Sequence, residues 1–132
     1  MALMRSWVGA PLAGALLEEV IAMGCKAFVV CGGAGVLQPE LAVGHLVMVE
    51  SAVRDEGTSH HYLAPGRYIN ADTAAVGVLQ ITLQERGVSF VAGRVWTTDA
   101  PYRKTRANIA RRRSEGKTWD HRSLAPDLHQ AR

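Results

Sequence analysis

Gly32, Gly33, Ala34 and Gly35 follow directly on the apolar run Ala27-Phe28-Val29-Val30-Cys31. Three glycines in this turn let backbone N–H groups approach a ligand closely, or permit positive φ, where a side chain would block both. The run before them is rich in Phe and Val, lacks polar alternation and reads as a buried strand. Ligands of α/β folds sit at the carboxyl ends of strands, which makes residues 27–39 a candidate binding turn. His60 and His61 invite a metal reading. Neighbouring side chains of an extended segment point opposite ways and no third ligand stands nearby in sequence, so no metal site is expected. Arg54, Asp55 and Glu56 read as a local ion pair. The basic stretch from Arg103 to Arg113 has the charge to attract nucleic acid, but only Tyr102 offers a ring for stacking. No nucleic-acid-binding motif accompanies it, and a solvated face is the favoured reading.

These residues need elements to hold them. Pro11 to Met23 reads as a helix, with Pro11 at its first position, Leu12, Leu16, Val20 and Met23 on one face, Glu18 and Glu19 towards solvent, and Gly24 as its stop. The strand at 27–31 follows at once. Gln38-Pro39-Glu40 marks a loop, and His45 to Val53 is a second extended run in the same sheet. Residues 54–66 form a polar loop too long for a simple connection, and such loops are often functional. Asp72 suits the N-cap of a helix running to Arg86, with Gly87 ending it. A third strand, Val88 to Trp96, leads into Thr97-Thr98-Asp99-Ala100-Pro101-Tyr102-Arg103, and Lys104 to Arg113 has helical character with little apolar face. Helices alternate with strands, so the class is α/β with a mostly parallel or mixed sheet.

A chain of 132 residues fits one domain with a real core. Its 48% hydrophobic and 20% charged content exclude wholesale disorder. No apolar run reaches the length of a membrane span, and Met1 to Trp7 lacks a signal-peptide layout. Cys25 and Cys31 flank one extended segment, too far apart to bridge, and reduced cysteines fit a cytoplasmic location. Charge is split: residues 1–93 carry a net −3 and residues 94–132 a net +6.

Three stretches, Phe28 to Pro39, Ser51 to Tyr62 and Trp96 to Arg103, together resemble the nucleoside phosphorylase superfamily, most closely its uridine phosphorylase-like branch. Their order and spacing match over roughly residues 9–116. The resemblance implies a partial mixed-sheet α/β sandwich with helices on both faces. It implies cleavage of the N-glycosidic bond of a nucleoside, with phosphate as nucleophile in phosphorylases and water in nucleosidases. Phosphate would be a co-substrate, with no other cofactor, and the protein a homo-oligomer with neither nucleic-acid nor membrane partners. Residue by residue, Gly32, Gly33, Ala34 and Gly35 would face the phosphate or other nucleophile, and Thr97, Thr98, Tyr102 and Arg103 the base. Asp99 would be the proton donor or pocket organiser, or equally an Asx-type cap of its turn. Arg54, His60 and His61 would form a rim or subunit contact.

The sequence departs from the family in three ways. Val30 and Gly33 stand where family phosphorylases commonly carry an Arg and a Ser or Thr that touch phosphate, which removes a bidentate ligand. The family's first strands, with a further phosphate element, have no counterpart here. After Glu115-Gly116 the Met-Glu segment that binds ribose hydroxyls is replaced by unrelated sequence. Residues 1–116 are therefore read as a partial phosphorylase-like domain, and 117–132 as a divergent, poorly ordered tail. The chain alone is expected to be weakly active or inactive.

Overall fold

The computed structural model describes residues 3–5, 8–38 and 44–115, together with the backbone of 118–120. In chain order the elements are α1 (Ala10–Ala22), β1 (Leu46–Asp55), a 3-10 turn (Thr58–His61), β2 (Tyr68–Asn70), α2 (Thr73–Glu85), β3 (Phe90–Thr98), a second 3-10 turn (Pro101–Arg103), α3 (Arg106–Ser114) and β4 (Thr118–Asp120). The strands form one mixed sheet in the order β2-β1-β3-β4. β1 runs antiparallel to β2 and parallel to β3, and β3 runs parallel to β4. This is the α/β mixed-sheet class expected from the alternation of elements.

Local chemistry sets the element ends. Asp72 caps α2 by accepting the Ala75 N–H at 2.7 Å, and Gly87 leaves the helix at φ 65°. α1 stops at Gly24, whose φ of 92° is costly for any residue with a Cβ. Thr105 caps α3 by accepting the Asn108 N–H. Glu18 does not simply face solvent: Tyr62 donates its hydroxyl proton to it and ties α1 to the first 3-10 turn.

One expected strand is absent from the sheet. Residues 25–30 join no strand of the sheet, and apolar side chains among them are open, with Val29 69% and Val30 63% exposed. Both edges of β1 are already taken, by β2 and β3, so no edge beside it remains for Ala27–Cys31. Apolar content suggested a strand but could not supply a neighbour. The Pro39-Glu40 part of the following loop lies outside the described residues. Conversely, β4 lies beyond the boundary drawn at residue 116 and pairs with Arg94, Val95 and Trp96 of β3.

The sheet has two unlike faces, because side chains alternate along a strand. On one face Val53 and Trp96, almost completely buried, pack with Leu37 and with Ile109 of α3. Arg113 donates from Nε to the Leu37 carbonyl, which fastens the segment after the glycine turn beneath α3. The opposite face carries Ala52 and Arg54 of β1, Ile69 of β2 and Thr97 of β3, under α1 and the first 3-10 turn. Helices thus cover both faces.

Candidate functional site

A cleft of about 330 Å³ opens on this second face. β1 and β3 are in register as Arg54 with Thr97 and Asp55 with Thr98, so two parallel strands deliver their carboxyl ends side by side. The floor is small and apolar, from Ala52, Ile69 and the start of α1 at Gly9, Ala10, Ala13 and Gly14. The polar groups gather at one end: Arg54, Glu56, Thr58, Ser59, Thr97, Thr98 and Asp99. An apolar floor with a few convergent polar groups is the usual form of a small-molecule site.

Arg54 organises the loop that walls the cleft. Its Nε donates to Ser59 Oγ at 2.8 Å and its Nη1 to the Ala64 carbonyl at 2.8 Å. Nη2 meets His60 Nδ1 at 3.2 Å and the Leu63 carbonyl at 3.4 Å. Since arginine only donates, His60 Nδ1 must accept, and its proton sits on Nε2. Glu56 accepts from the Ser59 N–H at 2.9 Å and from the Ser59 hydroxyl. The local Arg54–Asp55–Glu56 ion pair expected from sequence is therefore not what forms. Arg54 braces the loop, Glu56 caps its 3-10 turn, and Asp55, on the opposite face of the strand, pairs with Arg112 at 2.8 Å. Alternation along β1 makes that divergence unavoidable.

Asp99 reaches across the cleft mouth and accepts the Gly57 N–H at 2.8 Å. The local turn is closed instead by Thr98, whose hydroxyl accepts the Ala100 N–H at 3.2 Å. Thr97 donates its hydroxyl proton to the Val53 carbonyl at 2.8 Å, which aligns β3 with β1. Tyr62 forms the α1 side of the wall, with its hydroxyl beside Gly14. Its bond to Glu18, with some burial and the Glu18 charge adding to it, pushes the phenol above its ordinary value, so it stays neutral.

The structure brings together Arg54, Thr97, Thr98 and Asp99 of the residues singled out by sequence. His60 stands behind Arg54, and His61 is exposed at the end of the same turn. Tyr102 is fully exposed and Arg103 exposed, on the 3-10 turn that follows Asp99. Gly32, Gly33, Ala34 and Gly35 do not line the cleft; Gly33 and Gly35 are half-buried and the other two exposed. Among the described residues no three His, Cys, Asp or Glu side chains gather to hold a metal, and no helix is long and apolar enough to cross a membrane. Ser59, Tyr62 and the start of α1 were given no role of their own, and Glu56 only that of a local ion pair. The sequence signals for Glu56, Ser59 and Tyr62 were the length and polarity of their loop and its place in the Ser51 to Tyr62 stretch.

Parallel strands ending side by side at a mainly apolar cleft, with helices on both sheet faces, define an α/β domain of mixed-sheet type. The sequence model of the phosphorylase superfamily matches residues 1–120, and the chain belongs to that superfamily. It is 32% identical over 101 residues to a uridine phosphorylase of Thermococcus kodakarensis, covering 72% of this chain and 34% of that protein. A crystal structure of uridine phosphorylase from Vibrio fischeri superposes with a TM-score of 0.78 at 25% identity, over 90% of this chain and 50% of that one. An AMP nucleosidase of Bacteroides thetaiotaomicron shares the fold, with a TM-score of 0.79 at 23% identity over 89% of this chain and 52% of that one. The chain thus spans about a third of that curated relative's length and about half of the solved chains.

Proposed function

We propose that the cleft is the nucleoside side of an N-glycosidic bond-cleaving site, and that the reaction of this family line is phosphorolysis of a uridine or purine nucleoside. A phosphate oxygen bonds to C1′ of the ribose as the C1′–N bond breaks; the base departs with a proton and ribose 1-phosphate remains. The observation that carries this reading is the convergence of Arg54, Thr97, Thr98 and Asp99 at the paired carboxyl ends of β1 and β3. The transition state has oxocarbenium character, so the Asp99 side chain near the sugar–base junction steadies positive charge as a carboxylate or, as a carboxylic acid, hands its proton to the departing base. In this reading the base lies towards Tyr102 and Arg103 on the adjoining turn, and the nucleophile towards Gly32 to Gly35, which do not themselves line the cleft.

A hydrolytic variant is favoured by one specific feature: Val30 and Gly33 offer neither a guanidinium nor a hydroxyl to phosphate. Because the glycine turn stands apart from the cleft and the run before it joins no strand of the sheet, we propose that this chain alone turns over weakly or not at all. Open apolar side chains at Ile21, Met23, Val29 and Val30 support assembly into a homo-oligomer. Base release from uridine, adenosine and inosine, with and without phosphate, is the test. Weak phosphate-dependent release fits the main reading, and phosphate-independent release fits the hydrolytic one. Robust turnover by the isolated chain would overturn the expectation of an incomplete site.

A further inference from the structure

We propose that Arg112 is a positioning residue for the cleft, acting from the opposite face of the sheet through Asp55 and Trp96. The proposal rests on the cleft being the nucleoside site. Arg112 lies on α3 and is only 3% exposed. Its Nη2 donates to Asp55 Oδ2 at 2.8 Å and its Nη1 to Glu115 Oε2 at 3.1 Å. The guanidinium lies over the Trp96 ring, with Cζ 5.1 Å from the centroid. Trp96 Nε1 donates to the same Asp55 oxygen at 2.8 Å. Glu115 passes the connection on to Arg67, next to the first residue of β2.

This is a poor way to fasten a helix. The buried Arg112 Nε has no hydrogen-bond partner among the described residues, and a buried donor left unpaired is destabilising. An apolar residue over Trp96 would avoid that cost and give up only an ion pair whose Asp55 end is 43% exposed, and pairs open to water contribute little. What the guanidinium adds is direction, because its planar fork fixes the partners relative to one another.

Those partners sit one residue from the cleft. Asp55 separates Arg54 from Glu56, and Trp96 precedes Thr97. Joining Asp55 to Trp96 therefore fixes the spacing of the two strand ends whose other faces carry Arg54 and Thr97. The same side chain anchors α3, and so sets where the 99–105 connection returns. Burial pushes the Asp55 carboxyl up, but the hydrogen bonds from Trp96 and Arg112 and the charges of Arg112 and Arg111 outweigh it and hold the group below its usual value. The link is thus charged at neutral pH.

The test compares Arg112→Met, Arg112→Lys and Asp55→Asn with Arg106→Met, a substitution of an exposed arginine on the same helix. Amide hydrogen exchange of the free chain and calorimetric titration with uridine are read for each. In Arg112→Met the expected result is a loss of protection of about tenfold or more at 54–56 and 97–99, less at 91–95 within β3, with uridine affinity down by about tenfold or more. Asp55→Asn reproduces this pattern, Arg112→Lys recovers part of it, and Arg106→Met leaves both readouts unchanged. Unchanged protection at the strand ends, or a uniform loss throughout the sheet, overturns the proposal. If the wild-type chain binds no uridine, the nucleoside reading fails, while the exchange pattern still decides whether Arg112 positions the strand ends. If Arg112→Met does not fold, Asp55→Asn, which keeps an acceptor for Trp96, decides in its place.

Discussion

Replacing Arg54 by methionine removes the group on which the cleft wall is built. The side chain makes a part-buried bond to Ser59 Oγ and exposed bonds to the Ala64 and Leu63 carbonyls and to His60. Water can take over the exposed acceptors, so each of those bonds contributes about 0–1 kcal/mol, as exposed ionic contacts do. The Ser59 bond, charged and partly sheltered, contributes about 1.5–3 kcal/mol gross. Ser59 keeps its bond to Glu56, which lowers the net loss to about 1–3 kcal/mol. For a domain of this size that corresponds to a fall in melting temperature of roughly 3–15 °C. The cost is local, so exchange protection should fall at 58–64 and stay in the interior of β1 and β3. Lysine should not rescue, because a single ammonium cannot reach four acceptors spread over the loop. Thermal unfolding followed by circular dichroism, with amide exchange on the same samples, reads both effects. A melting temperature and a 58–64 exchange pattern unchanged from wild type would refute the view that Arg54 holds the wall, and full rescue by Arg54→Lys would refute the geometric part of it.

Other elements give independent outcomes. Asp72→Ala removes the α2 cap and should cost about 1 kcal/mol by urea denaturation, while Asp72→Ser should recover most of it. The carboxyls of Asp55 and Glu115 are both held low: burial raises each, but hydrogen bonds and charge from neighbouring arginines, joined by the Trp96 bond for Asp55, outweigh it. Their contribution is fully present above the ordinary carboxylate value of about 4 and is lost as pH falls through the lowered folded values. The acid limb of stability against pH should therefore steepen below about pH 4, and should flatten in an Asp55→Asn, Glu115→Gln double variant. Val29→Asp places a charge in the open apolar segment and should shift the sedimentation profile towards smaller species, whereas an unchanged profile would show that this segment makes no intermolecular contact.

The helices and the β1–β3 pair were legible because their signals are local. Pro11 and Gly24 bracket α1, Asp72 and Gly87 bracket α2, and Phe90 to Thr98 carries the apolar content of a central strand. Thr97, Thr98 and Asp99 were singled out through the resemblance carried by Trp96 to Arg103, and Arg54, as a rim residue, through that carried by Ser51 to Tyr62; all four line the cleft. The Ala27–Cys31 run misled, because apolar content says that a segment wants a neighbour and not whether an edge is free. The Arg112 link was invisible for a different reason. Its partners stand 57 residues apart, and a run of three arginines on a helix gives no sign of which one turns inward. Asp99 behaved similarly: the neighbouring Ala-Pro suggested a local cap, and its hydrogen bond goes instead to Gly57, 42 residues away.

The central claim is that a nucleoside binds where the carboxyl ends of β1 and β3 meet. Amide hydrogen exchange of the chain with and without saturating uridine, repeated with adenosine, tests it most directly. The account predicts added protection at 54–62 and 97–103 and at the start of α1, with the far side of the sheet unchanged. No added protection with either nucleoside would contradict it, as would protection confined to the separate hollow between Glu50, Asn70 and the start of α2.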